Sequence, residues 1–220
     1  LKNLKTENID LLQLHCPPLE ICSKKELYEM MDELVKKGKI SYYGVSVFTI
    51  AEAMAALKFP NVKSIQIVFN IFRQRPNEIF LKEAKRKNVA VIARGSLASG
   101  LLTGTINEKT KFNTNDHRNY NSDGKSFDIG DTFSGLDLKK GLIAVKKLKR
   151  ILPRNYNLVD LALKWILKHD EVSVVIPGAT NEMQVDMNTK ATELRELSNL
   201  YPEIENIYNN LIKPDVHHRW

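Results

Sequence analysis

The stretch IDLLQLH, residues 9–15, decides the fold, because it is an apolar run of strand length that ends in a histidine. Short apolar runs of the same kind recur along the chain and are separated by amphipathic stretches. The later runs, with the residues that close them, are GVSVF (44–48), QIVFNIF (66–72), VIARGSLASGLLTG (91–104) and VIPGATNEMQVDMN (175–188). Strands that alternate with helices favour βαβ units and a parallel sheet, so the sequence predicts the α/β class.

The predicted strands cover residues 9–14, 40–46, 62–69, 89–93 and 172–176, and each is followed by a helix. Ser23, with Glu26 three residues later, predicts a capping box for a first helix that runs to Lys37 and stops at Gly38. Further helices are predicted from near Thr49 to before Pro60, over 76–87, 139–152, 158–169 and 180–192, and in the tail to about residue 212. This periodicity does not distinguish a partial barrel from an open doubly wound sheet.

The segment 104–138 interrupts the alternation and is rich in Asn, Asp, Gly and Ser. A loop of this length inside a compact domain is usually functional or disordered. Asp116, His117 and Arg118 stand within it. A single histidine among scattered carboxylates lacks the spacing of metal ligands, so no metal site is predicted.

The chain has 220 residues, of which 43% are hydrophobic and 27% charged, a composition typical of one globular domain over residues 1–220. Its net charge of +7 comes with lysines spread along amphipathic segments and no basic run interleaved with aromatics, so nucleic-acid binding is not predicted. Cys16 and Cys22 form neither a CxxC pair nor a disulfide framework, which indicates a reducing, cytoplasmic compartment. No apolar run approaches the roughly 20 residues that would cross a membrane.

Polar side chains fall at or near the ends of three successive predicted strands, at His15, Ser46 and Gln66. The carboxyl ends of barrel strands are where active sites form. Taken alone, however, a histidine beside an apolar run is more often structural. A serine or glutamine at such a place is equally well explained as a satisfied polar group of a loop junction.

Two further segments have the features of anion sites. Residues 94–104 bring glycines and small hydroxyl side chains directly after a strand, where exposed backbone amides bind phosphate groups. Residues 177–180 (PGAT) lead into a helix whose first N–H groups favour an anion. Thr180, Gln184 and Asn188 recur every four residues and therefore share one face of that helix, which is either a binding face or a solvated one.

Taken together and in this order, LQLHCPP and the four later stretches resemble the C-terminal five-eighths of an aldo-keto reductase. The resemblance implies a TIM (β/α)8 barrel, present here as its C-terminal five strand–helix units, with strands one to three missing. It implies that His15 orients a substrate carbonyl and supports the proton donor. Imidazole suits that role because it forms hydrogen bonds at neutral pH without a fixed charge.

The resemblance also implies contacts with a nicotinamide ring. Ser46 and Gln66 would bind its carboxamide, and Arg94 would stack on it where many members have a tyrosine, since a guanidinium plane stacks as well. The family pattern GVSNF has asparagine where this chain has Val47. One carboxamide contact is therefore expected to be lost.

For the rest of the cofactor, Leu97 and Ser99 match the family's pyrophosphate-contacting positions. The adenosine end would be held by the face that carries Thr180, Gln184 and Asn188, together with Gly178 in the turn before it. Members with a strong preference for NADP often have lysine and arginine where Gly178 and Gln184 stand here. The resemblance implies NADP as the cofactor, but the absence of these charges leaves NADP versus NAD open.

The function that the resemblance implies is reduction of a small-molecule aldehyde or ketone to an alcohol by hydride transfer from NAD(P)H. The family's proton-donor tyrosine, with its lysine and aspartate, is expected upstream of Leu1, so the chain is expected to be incomplete. Two alternatives stay open: an inactive module that binds the nicotinamide cofactor, and the product of a truncated gene. The sequence indicates neither the substrate nor the oligomeric state.

Overall fold

Five parallel strands form one sheet in a computed structural model that describes residues 1–195 and 197–220. Each strand pairs with the strand that follows it along the chain, which gives the order β1-β2-β3-β4-β5. The strands are β1 (Ile9–His15), β2 (Ile40–Val47), β3 (Val62–Val68), β4 (Ala90–Arg94) and β5 (Val172–Val175). The five predicted strands are confirmed, and no bound differs from its prediction by more than one residue.

The helices lie between and after the strands. They are α1 (Leu19–Cys22), α2 (Lys25–Lys36), α3 (Ile50–Ala56), α4 (Phe80–Arg86), α5 (His117–Tyr120), α6 (Leu138–Ile151), α7 (Leu158–Leu167), α8 (Glu182–Lys190), α9 (Tyr201–Ile207) and α10 (Lys213–Val216). Among the described residues, none of these helices has the length and apolar character required to span a membrane.

Side chains on the two faces of the sheet differ in polarity. Val45, Ile65 and Val91 are fully buried in the hydrophobic core that the helices cover. On the opposite face the register aligns Gln13 with Gly44 and Gly44 with Ser64. The Gln13 amide donates a hydrogen bond to Ser64 Oγ at 2.7 Å and passes over Gly44. A Cβ at Gly44 would lie 2.5 Å from the Ser64 carbonyl oxygen, so only glycine fits there.

The capping signals were predicted with mixed success. Thr49 caps α3 and forms a capping box with Glu52, which explains why that helix begins where the sequence predicts. The capping box predicted at Ser23 is wrong. Its hydroxyl donates to the Leu19 carbonyl at 2.8 Å and so closes the unpredicted helix α1, while α2 begins after Lys24 without a side-chain cap.

Two other predicted helices are shorter than expected. The helix predicted over 76–87 is a 3-10 turn at Arg75–Asn77 followed by α4, because the backbone leaves helical geometry at Ile79. The helix predicted from Thr180 begins two residues later, after the side chain of Asn181 caps it. The segment 104–138 contains α5 and 3-10 turns at Ile129–Asp131 and Phe133–Gly135.

The C-terminal tail is fastened to the turn before α4. Arg75 Nη1 donates to the His217 carbonyl at 3.0 Å. The His217 ring lies between the Tyr208 hydroxyl and a Glu78 carboxylate oxygen, at 2.7 Å from each. These contacts bring the last residues of the chain to the edge of the sheet that carries the carboxyl ends of the strands.

Candidate active site

The ends of the first three strands place His15, Ser46 and Gln66 in one row. The register pairs His15 with Ser46 and Ser46 with Gln66, so the three residues are direct neighbours across the sheet. Ser46 is buried, and its hydroxyl donates to Gln66 Oε1 at 3.2 Å. His15 is exposed at the end of β1. The side-chain nitrogen of Gln66 has no hydrogen-bond acceptor within the described part of the chain, so it is available to a ligand.

Cys16 continues the row beyond His15, in a left-handed backbone conformation with φ of 48°. Its backbone N–H donates to the Ser46 carbonyl at 3.0 Å, and its sulfur lies 3.7 Å from the Ser46 hydroxyl. The second thiol, Cys22, is fully buried, and burial raises its pKa to about 11. The two cysteines therefore differ sharply in accessibility, although six positions separate them.

Arg94, at the end of β4, is held by a residue that the sequence did not single out. Its guanidinium forms an ion pair with Asp131 in the long loop. The same guanidinium lies 4.9 Å from the centre of the Phe48 ring, and its Nη2 is 3.9 Å from Cys16 Sγ. Arg94 thus lies beside the row of strand-end residues, with one face on an aromatic ring.

The segment after β4 turns sharply through Ala98, Ser99 and Gly100, all with positive φ. The Ser99 hydroxyl donates to the Asp131 carbonyl at 2.7 Å and accepts from the Phe133 N–H at 3.1 Å. Its side chain is therefore engaged with the long loop. Nearby Ser96 is buried, and its hydroxyl has no partner among the described residues, which marks an unmet hydrogen-bonding position in this segment.

A cavity of about 280 Å³ joins the segment after β4 to the segment after β5. Of the residues predicted to hold the cofactor, Leu97, Gly178, Gln184 and Asn188 line it. Its remaining lining residues are Thr103, Thr105, Asn157, Val159, Met183 and Met187. Thr180 is outside the lining, but its N–H and hydroxyl both donate to Gln184 Oε1, at 2.8 and 3.1 Å. Basic residues are absent from this lining, so the cavity is neutral.

Two buried tyrosines, Tyr28 and Tyr43, have hydroxyls that are engaged outside the strand-end row. The Tyr28 hydroxyl donates to the Cys22 carbonyl and the Tyr43 hydroxyl to Asp32, both at 2.8 Å. Burial raises the pKa of each well above its usual value. Within residues 1–195 and 197–220, no group of three or more His, Cys, Asp or Glu side chains is placed to hold a metal ion.

The structure thus divides the predicted site residues into three neighbouring groups. His15, Ser46, Gln66 and Arg94 lie at the strand ends, Ser99 faces the long loop, and Leu97, Gly178, Gln184 and Asn188 line the cavity, with Thr180 at its side. Sequence reasoning missed Asp131, which pairs with Arg94. The only signal for it was the length of the loop that carries it, because a loop without periodicity does not show which of its side chains turns inward.

Comparisons with known proteins agree with this geometry. The model of the aldo/keto reductase family matches residues 1–208. Aldo-keto reductase YhdN from Bacillus subtilis is 30% identical over 218 residues, covering 98% of this chain and 63% of YhdN. A probable voltage-gated potassium channel subunit beta from Arabidopsis thaliana is 28% identical over 212 residues, covering 88% of this chain and 59% of that protein.

Among solved structures, the holo form of aldo-keto reductase AKR11C1 from Bacillus halodurans matches with a TM-score of 0.72 at 27% identity, covering 100% of this chain and 66% of that chain. The fold is therefore that of the aldo-keto reductase barrel, with five parallel strands described in one sheet. The chain spans less than two thirds of the length of these curated relatives. The family match itself extends over nearly the whole chain. The chain belongs to the aldo/keto reductase family.

Proposed function

We propose that this protein is an NAD(P)H-dependent oxidoreductase that reduces the carbonyl of a small aldehyde or ketone to an alcohol. The observation that carries the proposal is the row of His15, Ser46 and Gln66 at the ends of β1 to β3, together with a neutral cavity between the segments that follow β4 and β5. Family membership supports this class of reaction.

The residues present fit a nicotinamide cofactor. The cavity is close in volume to the lower end of ordinary small-molecule sites, which begin at about 300 Å³, and so suits the adenosine part of a dinucleotide. The unpartnered hydroxyl of Ser96 lies in the segment between this cavity and Arg94, where a pyrophosphate would run. The free amide nitrogen of Gln66 suits the carboxamide oxygen. When bound, the nicotinamide supplies the hydride.

The chain's own residues then divide the work. Ser46 fixes the orientation of the Gln66 amide through their hydrogen bond, and Gln66 presents a donor to the ring substituent. Arg94, which packs on Phe48, would cover the ring. His15, exposed at the end of β1, hydrogen-bonds the substrate carbonyl and orients it. The remainder of the cofactor would be held by Leu97, Ser99, Gly178, Thr180, Gln184 and Asn188.

NADP is the proposed cofactor, as in the relative from Schizosaccharomyces pombe whose name specifies NADP(+), with NAD as the competing choice. The neutral lining of the cavity supports the competing choice, since a 2′-phosphate is usually held by an arginine or lysine. Fluorescence titrations with NADPH and NADH decide between them.

The second candidate function is that of a subunit that binds the nicotinamide cofactor and does not catalyse its oxidation. The similarity to a potassium channel subunit beta favours it. The two functions predict the same cofactor binding and differ in catalysis. They are separated by following NADPH and NADH oxidation at 340 nm with a panel of aldehydes and ketones.

The His15→Gln substitution makes the test specific. If the protein is a reductase, this change should lower kcat by about 10²–10⁴-fold while the cofactor dissociation constant stays near its original value. Asp10→Asn, an exposed change on the same strand far from the site, is the matched control. Cofactor binding without turnover supports the subunit, and absence of both overturns the proposal.

A further inference from the structure

The segment 128–135 of the long loop is packed between Trp220 and the strand-end residues. The Trp220 side chain is buried, and its indole N–H donates to both carboxylate oxygens of Asp128 at 3.1 Å. Its ring lies 3.8 Å from the guanidinium carbon of Arg73. One aromatic side chain therefore contacts the loop and a buried cation together.

The indole also fits against the backbone of this segment. A Cβ added at Gly130 would lie 2.7 Å from the Trp220 ring, and one at Gly135 would lie 2.4 Å from it. Gly135 has φ of 79°, a conformation that favours glycine. Because real Cβ atoms do not approach carbon so closely, both positions require glycine for the ring to pack where it does.

Arg73 connects Trp220 to the site. It is 2% exposed, and its Nη2 donates to the carbonyl of Phe48, whose ring lies beneath the guanidinium of Arg94. Burial lowers the pKa of Arg73 to about 9, which leaves it charged at neutral pH. The carboxylate of Asp128 favours that charge, and the indole face covers it.

The inner side of the segment contacts residues that the proposed function assigns to the cofactor. Asp131 pairs with Arg94, and its carbonyl accepts from Ser99. The Ser134 hydroxyl accepts from Asn70, whose side chain also donates to the Gly95 carbonyl at 2.8 Å. The segment thus has Trp220 on its outer side and Arg94 with Ser99 on its inner side.

We propose that Trp220 is a positioning residue for the cofactor. It acts through Asp128 and the segment 128–135, and so holds Arg94 and Ser99 in place. This inference rests on the proposed function, since it concerns the same cofactor site. Trp220 itself contacts Arg73, Asp128, Gly130 and Gly135.

The test compares Trp220→Ala with Trp220→Phe in fluorescence titrations with NADPH and NADH. Trp220→Ala removes both the ring and the hydrogen bond, and it should raise the dissociation constant of the preferred cofactor by about fivefold or more. Trp220→Phe keeps a ring over Arg73 and loses only the donor to Asp128, so its effect should be smaller. If the alanine variant fails to fold, the phenylalanine variant still reports on the link to Asp128.

The matched control is Tyr208→Phe, which removes the tail's hydrogen bond to His217 but makes no change in the 128–135 segment. It should lower the melting temperature and leave cofactor affinity unchanged. A double-mutant cycle with Asp131→Asn then tests the route of action. If Trp220 acts through the pairing of Asp131 with Arg94, the double variant should raise the cofactor dissociation constant by less than the product of the two single increases.

The outcomes separate this inference from the function on which it rests. A wild-type protein that binds neither cofactor overturns both. A wild-type protein that binds, with a Trp220→Ala variant that binds equally well, overturns the positioning role alone, even if that variant melts earlier. If the double variant raises the dissociation constant by the full product of the increases from Trp220→Ala and Asp131→Asn, the proposed route through Arg94 is overturned.

Discussion

Arg94 and Asp131 form an ion pair that joins the end of β4 to a loop residue 37 positions later in the chain. The side chains are only 16% and 28% exposed, respectively, so solvent screens the pair weakly. Asp131 also contributes its carbonyl to Ser99. The pair therefore links the end of β4 to the long loop.

Removing one partner of this pair should cost more stability than removing both. Asp131→Ala leaves a mostly buried guanidinium without its carboxylate and should lower the free energy of unfolding by about 1–2 kcal/mol. Adding Arg94→Ala to that variant should recover part of the loss, because the unpaired charge is gone. Urea unfolding of the two single variants and the double variant measures this. Fully additive losses would show that the two residues do not interact.

Cofactor choice should respond to a single positive charge in the neutral cavity. A side chain at Gly178 has open space around it, so Gly178→Lys should fold normally and favour NADPH over NADH by about tenfold, through a charge-assisted bond to the 2′-phosphate. Gln184→Arg should act in the same direction. The ratio of the two dissociation constants is the measurement.

Val185→Arg is the control for this shift in selectivity. It places the same charge on α8 at an exposed position that does not line the cavity. If that variant changes the NADPH to NADH ratio as much as Gln184→Arg does, the effect comes from long-range charge, and the cavity is not the adenosine site.

The two cysteines should react at very different rates. Cys22 is fully buried with a pKa raised to about 11, so at pH 8 only roughly one molecule in a thousand carries its thiolate. Cys16 is partly exposed beside Ser46 and Arg94. Iodoacetamide should label Cys16 first, NADPH or NADH should slow that labelling, and Cys22 should react only after unfolding.

Both cysteines lie in one tryptic peptide, because no lysine or arginine separates them, so fragment-ion mass spectrometry must assign the label. A Cys16→Ser variant provides the blank for this assignment. Equal labelling of both thiols in the folded protein would contradict the burial of Cys22. Labelling of Cys16 that cofactor leaves unchanged would count against the nicotinamide site at the strand ends.

Two glycines should differ in their tolerance of a methyl group. Gly44→Ala places Cβ 2.1 Å from Ser64 Oγ and 2.5 Å from the Ser64 carbonyl oxygen, and should destabilise the protein by about 3 kcal/mol. Gly178→Ala meets nothing within 4 Å and should change stability by less than about 0.5 kcal/mol. Thermal or urea unfolding compares them, and similar losses at both positions would refute the close packing of Gln13 over Gly44.

Much of the fold could be predicted because its signals are local. The alternation of apolar runs with amphipathic stretches gave all five strands, and a helix was predicted from near Thr49, where α3 begins one residue later. The capping box at Ser23 failed because Ser23 lies at the end of α1, where its hydroxyl donates to the Leu19 carbonyl one turn earlier, and α2 begins only after Lys24. A capping motif in sequence cannot show which of two adjacent helices its side chain will serve.

The placement of the candidate residues was predictable where strands carry them and unpredictable where loops do. His15, Ser46 and Gln66 meet because the ends of parallel strands share one edge. The partner of Arg94 and the orientation of Ser99 depend on how the loop folds back onto the sheet. That folding depends on contacts such as Trp220 with Asp128, which join residues 92 positions apart.

The strand order has a consequence for the kinetics of folding. β5 can pair with β4 only when the chain between Arg94 and Val172 forms a closed loop. This loop is roughly three to four times as long as the one between Val68 and Ala90, so closing it costs about 1 kcal/mol more in chain entropy. β5 also has only four residues. We therefore expect β5 to dock last during folding and to detach first in native-state hydrogen exchange. A dinucleotide in the cavity between Leu97 and Gly178 would bind only the docked form, and so would slow the exchange of β5 in particular.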